Sequence, residues 1–426
     1  MPLVRGRTAF YSNDMTSESQ APPRSTGPFD GVRVIELAQW VFVPAAGALL
    51  ADWGADVIHI EPLDGDPYRG LVSLGVHEAG KDGVNMAMEA TNRNKRSIAL
   101  DIRSERGMAV LLELVDGADV FLTNFRPGAL ARRALDPDSL RARNARLIYA
   151  RGHGFGANGP DRDRAGYDAS AFWARGGLAH ILTPPVLDHP IQQRGAFGDR
   201  SGGMALAFGI ASALFQRERT GEGATVDVSL LATAMWILTS DLLTALQGRQ
   251  PRAGSGAAVP NPLLTQYRTS DDRHISLVFL QPDRYWADFC RLLGRDELID
   301  DPRFDNITTR AQHSAECVEI IQAEFSKRTY NEWRELLNQL DAPWAPVQAV
   351  DELLTDPQVV ANGYIQPVDT EGGPEFSLPS VPVQFDGQPA SLHRAPEHGE
   401  HTERVLLEMG YDWDAIGELQ REGVIP

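Results

Sequence analysis

The stretch Gly31 to Pro62 reads GVRVIELAQWVFVPAAGALLADWGADVIHIEP. Val32 to Leu37 is a short apolar run behind the turn pair Asp30-Gly31, Pro44 to Trp53 reads as a helix, and Ala55 to Glu61 is a second apolar run. Strand, helix and strand in that order make a βαβ unit. The alternation continues with Ile98 to Asp101 as strand, Ser104 to Val115 as helix, Asp119 to Thr123 as strand, Pro127 to Arg133 as a short helix and Leu147 to Arg151 as strand. Repeated βα units imply an α/β fold with a parallel, Rossmann-like sheet covered on both faces. Ligands of such sheets bind beyond the carboxyl ends of the strands. Those ends are Asp101-Ile102-Arg103, Thr123-Asn124-Phe125 and Gly152-His153-Gly154.

Downstream, Gly195 to Gln216 reads GAFGDRSGGMALAFGIASALFQ. Its apolar residues run almost all round a helix, which predicts a helix buried in the protein interior. Asp199, with Ser201, falls where an N-cap belongs, and a carboxylate there gains from unpaired N–H groups and the positive end of the helix dipole. That placement favours an ionised, fixed aspartate with backbone N–H groups nearby. Gly202 and Gly203 leave the first turn without side-chain bulk, as if to admit a large ligand. Taken alone, Asp199 reads first as a simple helix cap, because Asp is common there.

The chain has 426 residues, more than one core usually serves, so two domains are expected. A net charge of −18 argues against a general nucleic-acid or membrane-surface binder. The charge is uneven: Thr91 to Arg151 holds twelve Lys and Arg against seven acids, whereas Asp351 to Pro426 holds fifteen acids against three Arg. A phosphorylated ligand would find its counter-charge in the first of these regions. Two cysteines, Cys290 and Cys317, carry neither a CxxC nor a Cys/His ligand spacing, so neither a disulfide framework nor a metal site is indicated. A reducing, cytoplasmic setting fits. Residues 1–28 are polar and rich in Ser and Pro, without the apolar core of a signal peptide, and read as a disordered leader, with Met15 as an alternative start. Glu36 and Pro44 interrupt the best early apolar run, so no membrane span is expected.

Beyond the turn at Arg217 to Gly223, the pattern predicts a strand at Thr225 to Ser229 and a long apolar helix from about Leu230 to Leu246. Gln250 to Pro262 is rich in Gly, Ala and Pro, the composition of a loop or domain junction. From Leu263 the pattern changes to a short strand pair around Tyr267 and Ile275 to Phe279, then helices beginning near Pro282, Arg310 and Tyr330, as in a separate smaller domain.

Two candidate sites compete with Asp199. Gly154, Gly156 and Gly159 spell GxGxxG after a strand, but Pro160 and a run of charges follow where a dinucleotide fold needs a helix N-terminus to hold pyrophosphate. The NAD reading is therefore rejected. The basic cluster Arg93, Lys95, Arg96, Arg103 and Arg132 is either a solvated face or a phosphate site, and its place at strand ends in an acidic protein favours the phosphate site.

Several segments in order resemble the class III coenzyme A transferases, which include formyl-CoA transferase, carnitine CoA-transferase and the bile-acid inducible transferases. They are the Gly31 to Pro62 stretch, NRNKRSIALDIRSERG from Asn92, NFRPG from Asn124, GDRSGG from Gly198, RTGEG before VDVSLL, and GEHTERVLLEMG from Gly399. The resemblance implies a large Rossmann-like CoA-binding domain beginning at 29–225, a linker helix and loop at 226–262, a small α+β domain at 263–343 and a return to the large domain at 344–426. It further implies an interlocked homodimer, coenzyme A and acyl-CoA as substrate with no permanently bound cofactor, and a carboxylic acid as the second substrate. By position, Asp199 matches the nucleophilic aspartate. Leu100, Arg103, Asn124, Phe125, Ala129 and Arg132 fall where relatives contact CoA, and Tyr167 falls beside the thioester.

The implied chemistry is covalent, through an aspartyl-CoA thioester. A racemase branch of the same superfamily uses the aspartate with a histidine in a Gly-His-Asp triplet, and here the triplet is Gly166-Tyr167-Asp168. Tyrosine, with an ordinary pKa of about 10, is a poor substitute, which favours transfer over racemisation or isomerisation. A catalytically silent CoA-binding protein is the remaining alternative. Formyl-CoA transferase has a glutamine at the position of Val41 and four glycines where the nearest equivalent here is Gly254-Ser255-Gly256. Both departures point to a larger or less polar acid than oxalate.

Overall fold

The computed structural model describes residues 27–75, 79–251 and 259–426; the expected leader, apart from its last two residues, and Gly254-Ser255-Gly256 lie outside them. In chain order the first half forms β1 (Arg33–Leu37), α1 (Phe42–Asp52), β2 (Asp56–Glu61), α2 (Met86–Asn92), β3 (Arg96–Ala99) and α3 (Glu105–Asp116). It continues with β4 (Val120–Thr123), α4 (Pro127–Ala131), α5 (Pro137–Arg143), β5 (Ile148–His153), α6 (Leu178–Leu182), α7 (Phe197–Thr220) and β6 (Thr225–Ser229). The six strands form one sheet in the order β3-β2-β1-β4-β5-β6, and every pairing is parallel. That is the Rossmann order, with the switch point between β1 and β4. The α/β reading of the sequence is thus met, with two further three-stranded sheets.

One apolar core lies between the sheet and α1 and α7, the other between the sheet, α3 and the chain's end. The C-terminal helices Thr402–Glu408 and Trp413–Arg421 contribute Val405, Leu406, Ile416 and Leu419 to that second core. Their hold on β3 is polar as well: Ala99 N–H donates to Thr402 Oγ1 and Asp101 N–H to the Val424 carbonyl. Residues Leu264–Arg268, His274–Val278 and Trp344–Pro346 form an antiparallel sheet with its own core, which buries Cys290 and Cys317 as free thiols.

Three expectations are corrected here. The strand expected at Ile98–Asp101 lies two residues earlier, because Asp101 turns the chain by accepting Arg103 N–H and Ser104 caps α3 through Gly107 N–H. The helix expected over Leu230–Leu246 is two helices, Leu230–Ile237 and Thr239–Leu246; at the break Leu238 leaves helical geometry with ψ +22°, and Thr239 Oγ1 donates to the Trp236 carbonyl. The helix containing Asp199 is not buried all round. Its Gly202, Gly203, Leu206 and Ile210 face packs inward, while Met204, Phe208 and Phe215 on the other face are 46%, 76% and 63% exposed in the single chain.

Candidate active site

α1 and α7 meet with almost no side chain between them. A Cβ on Gly202 would stand 2.5 Å from the Phe42 ring, and one on Gly203 3.0 Å from Ala45 Cβ and the Phe42 carbonyl. The two glycines therefore admit α1, not a ligand. This close approach sets the first turn of α7 against the start of α1, at the carboxyl edge of β1 and β5.

Asp199 is not the N-cap. α7 begins at Phe197, Ala196 occupies the cap position with φ +63°, and Asp199 sits in the first turn. The capping carboxylate comes from elsewhere: Asp168 accepts Gly198 N–H at 3.1 and 3.2 Å. The helix starts earlier than the sequence suggests because that borrowed cap satisfies its end. It also removes Gly198 N–H as an oxyanion donor. Burial first, then the charge of Asp168, pushes the Asp199 carboxyl up to about 7, with Arg200 opposing. The ionised aspartate expected of an N-cap is thus replaced by one that titrates near neutrality. Burial likewise raises Asp168.

A cleft of about 650 Å³ opens over these groups. It is lined by Asp199, Asn124, Phe125, Ala129, Arg132 and Tyr167, so six of the eight residues singled out in the sequence come together. Leu100 and Arg103 do not line it: the Leu100 side chain is in the second core, and Arg103 is exposed, paired with Asp101 at 2.8 Å. The turn carrying them is tied to the segment after α4, since Arg133, next to Arg132, donates from Nη1 to the Ile102 carbonyl. Asn124 binds Gln39 by both ends of its amide, accepting Gln39 N–H at 3.1 Å and donating to the Gln39 carbonyl at 2.6 Å, which ties the β1 and β4 loops together at the switch point.

The basic cluster divides. Arg93 is buried in a bidentate pair with Asp52, Lys95 lies between Glu36 and the Pro44 carbonyl, and Arg96 pairs with Asp56 and Glu408. These three hold the sheet to its helices and are turned away from any ligand, which corrects the phosphate-site reading for them. Burial lowers the pKa of the Lys95 ammonium against the pull of Glu36. Of the cluster, only Arg132 lines the cleft, where Arg126, Arg162 and Arg164 join it. Those three went unnoticed in the sequence. Arg126 lies inside the NFRPG segment, and Arg162 and Arg164 lie in a run of mixed charges with no helical or strand period to place them.

Trp40 was also missed. It lines the cleft beside Tyr167, ring centroids 5.7 Å apart and edge-on at 83°. Val41, the position compared with glutamine above, is buried instead against Tyr68 and Met88. His153 borders the cleft but its Nε2 is 2.9 Å from Asp227, whose carboxylate is also held by Arg151. Gly156 and Gly159 have positive φ in the loop after β5, with no helix following. Among the described residues no group of three or more His, Cys, Asp or Glu side chains is placed to hold a metal ion, and no helix is long and apolar enough to cross a membrane.

Comparison with known proteins places the chain in a family. The profile of CoA-transferase family III matches residues 29–402. The chain is 35% identical over 404 residues to the cinnamoyl-CoA:phenyllactate CoA-transferase of Clostridium sporogenes, covering 93% of this chain and 97% of that one. It is 32% identical over 399 residues to the (R)-2-hydroxy-4-methylpentanoate CoA-transferase of Clostridioides difficile, covering 93% and 99%. The crystal structure of a CaiB/BaiF family protein from Brucella suis superposes with a TM-score of 0.75 at 30% identity, covering 90% of this chain and all of the other.

Proposed function

Since the chain belongs to CoA-transferase family III and is a CoA-transferase, we propose that it moves coenzyme A between an acyl thioester and a free carboxylic acid through a thioester on Asp199. The observation that carries this is the Asp199 carboxylate in the wall of the cleft that also holds Asn124, Phe125, Ala129, Arg132 and Tyr167.

The ionised Asp199 oxygen attacks the thioester carbonyl, forming an acyl-aspartyl anhydride and expelling the CoA thiolate. The thiolate then attacks the aspartyl carbonyl, giving aspartyl-CoA and the free donor acid. The acceptor carboxylate attacks that thioester to form a second anhydride, and the returning thiolate takes the new acyl group and frees Asp199. Overall one thioester replaces another, so the exchange needs no ATP. Covalent capture divides one difficult exchange into four easier steps.

Arg126, Arg132, Arg162 and Arg164 supply the positive charge for the CoA phosphates, and the nucleotide end extends past Arg133 toward Leu100 and Arg103. Tyr167 stands beside the thioester. The exposed apolar face of α7, with Trp236 and Leu246 of the next helices, is the surface that a second copy covers in a homodimer. The free thiols fit a cytoplasmic setting.

The experiment is mass spectrometry of the Asp199 peptide after brief exposure to acyl-CoA donors and trapping with hydroxylamine or borohydride. A hydroxamate or reduced product at Asp199 supports the reading. An unmodified Asp199 with deuterium washing into the α-carbon of the acyl group, without acceptor, transfers the reading to racemisation. An unmodified Asp199 with CoA bound and no exchange leaves a silent binding protein.

A further inference from the structure

Trp40 stands out on two counts. It is a bulky residue with φ +70°, a conformation that side chains other than glycine rarely adopt and that persists where the surroundings impose it. It is also half-exposed and lines the cleft with Asp199. What imposes the conformation is one buried carboxylate. Asp66 accepts Trp40 N–H at 3.3 and 3.2 Å and Tyr68 N–H at 2.9 Å, while its own N–H donates to Glu61 at 3.0 Å. Glu61 is itself clamped by Arg69 through two 2.7 Å bonds and by Ser97. On the other side of Asp66, His59 Nε2 lies 3.8 Å away, and Nδ1 of the same ring is 2.7 Å from Glu36. A turn alone would be better served by glycine. The Trp40 ring is where the constraint is spent: it stands edge-on to Tyr167 at 5.7 Å and to Tyr68 at 6.3 Å.

We propose that Trp40 is the residue that selects the acid, with Asp66 as its positioning residue, and that the favoured acid carries an aromatic or branched apolar side chain and no second carboxylate. The inference rests on the CoA-transferase reading. Besides Asp199, the cleft is lined by the apolar and aromatic side chains of Trp40, Phe42, Tyr167 and Leu230, with Gln39 and His153 as polar neighbours and His153 already 2.9 Å from Asp227. The lining arginines gather around α4 instead, where Asp163 bonds Gly128 N–H between them, and Arg200 is exposed and does not line the cleft. A second carboxylate at the acyl end would be desolvated with only the solvent-screened Arg200 to offset it, whereas an aryl or branched chain packs edge-on against the indole.

The test is an acceptor panel with the full chain: 3-phenylpropanoate, 4-methylpentanoate, propanoate and succinate, for the wild type, Trp40→Ala, Trp40→Phe and Asp66→Asn. The expected wild-type order puts the first two acids ahead. Trp40→Ala lowers kcat/KM for these by about 10- to 100-fold while propanoate changes little. Trp40→Phe restores most of the loss. Asp66→Asn raises KM for the phenyl acid and spares kcat with propanoate. A wild-type preference for succinate, or an equal loss with all four acids in Trp40→Ala and Trp40→Phe, overturns the assignment of Trp40. Absence of both exchange and Asp199 labelling in the wild type overturns the transferase reading itself, so the two failures are told apart.

Discussion

Asp168 accepts the N–H of Gly198, the residue directly before Asp199, and so fixes, from a separate segment of the chain, the first turn of the helix that carries the proposed nucleophile. The same carboxylate raises the pKa of its neighbour. Cap and charge are thus one device, and the two effects separate on mutation. In Asp168→Asn the repulsion is gone while an amide oxygen still accepts the N–H, so the acid limb of the kcat/KM profile shifts to lower pH. In Asp168→Ala the cap is lost too, at a cost of about 1–2 kcal/mol in denaturant unfolding.

In the proposed mechanism Asp199 reacts as the carboxylate, and burial with Asp168 pushes its pKa up to about 7. The kcat/KM of the wild type therefore rises with pH and levels off above about 7. A profile flat between pH 5 and 8 would count against this.

The same shift lowers stability. A carboxyl whose folded pKa stands above its ordinary 3.8 binds its proton more tightly in the folded chain, so stability falls as pH rises from about 4 and the penalty is complete above about 7. Asp199→Asn removes an ionised group from a partly buried place. It abolishes the trapped intermediate yet melts higher than the wild type at pH 8, by a margin on the order of 2–4 kcal/mol that shrinks at pH 5.

Arg132 and Lys95 belong to one basic stretch of sequence but do different things. Arg132→Ala leaves the melting temperature unchanged and raises KM for acyl-CoA, more at low salt than at high. Lys95→Met leaves Glu36 buried without its cation and costs about 3–5 kcal/mol, read as lost stability or lost soluble protein.

Gly202→Ala forces a methyl against the Phe42 ring and parts α1 from α7. The expected cost is about 1–3 kcal/mol by chemical denaturation, with a fall in kcat because Asp199 moves with its helix.

The βαβ alternation from Val32 to Arg151 was legible because parallel strands buried on both faces are short apolar runs, and helices between them carry a 3.6-residue period. Local pattern alone gave the α/β class and all six strands of the sheet to within a few residues. Local pattern read Asp199 first as a helix cap, and motif resemblance singled it out together with Asn124, Phe125, Ala129, Arg132 and Tyr167, which one cleft gathers. Partners were not legible. That Arg93, Lys95 and Arg96 meet Asp52 of α1, Glu36 of β1 and Asp56 of β2 depends on segments brought together by the fold, and nothing in a string of basic residues distinguishes a buried pair from an open phosphate site. The purpose of Gly202 and Gly203 was hidden for the same reason, since only the crossing of α1 shows what fills the missing side chains. Trp40 drew no notice because a left-handed tryptophan has no sequence signature; Asp66, twenty-six residues on, creates it. The sequence by itself determined which elements form, because those depend on periodicity and residue type, and its family resemblance singled out Asp199. The tertiary structure alone decided how that aspartate is charged and what walls surround it, because desolvation and contact depend on atoms brought together from distant parts of the chain.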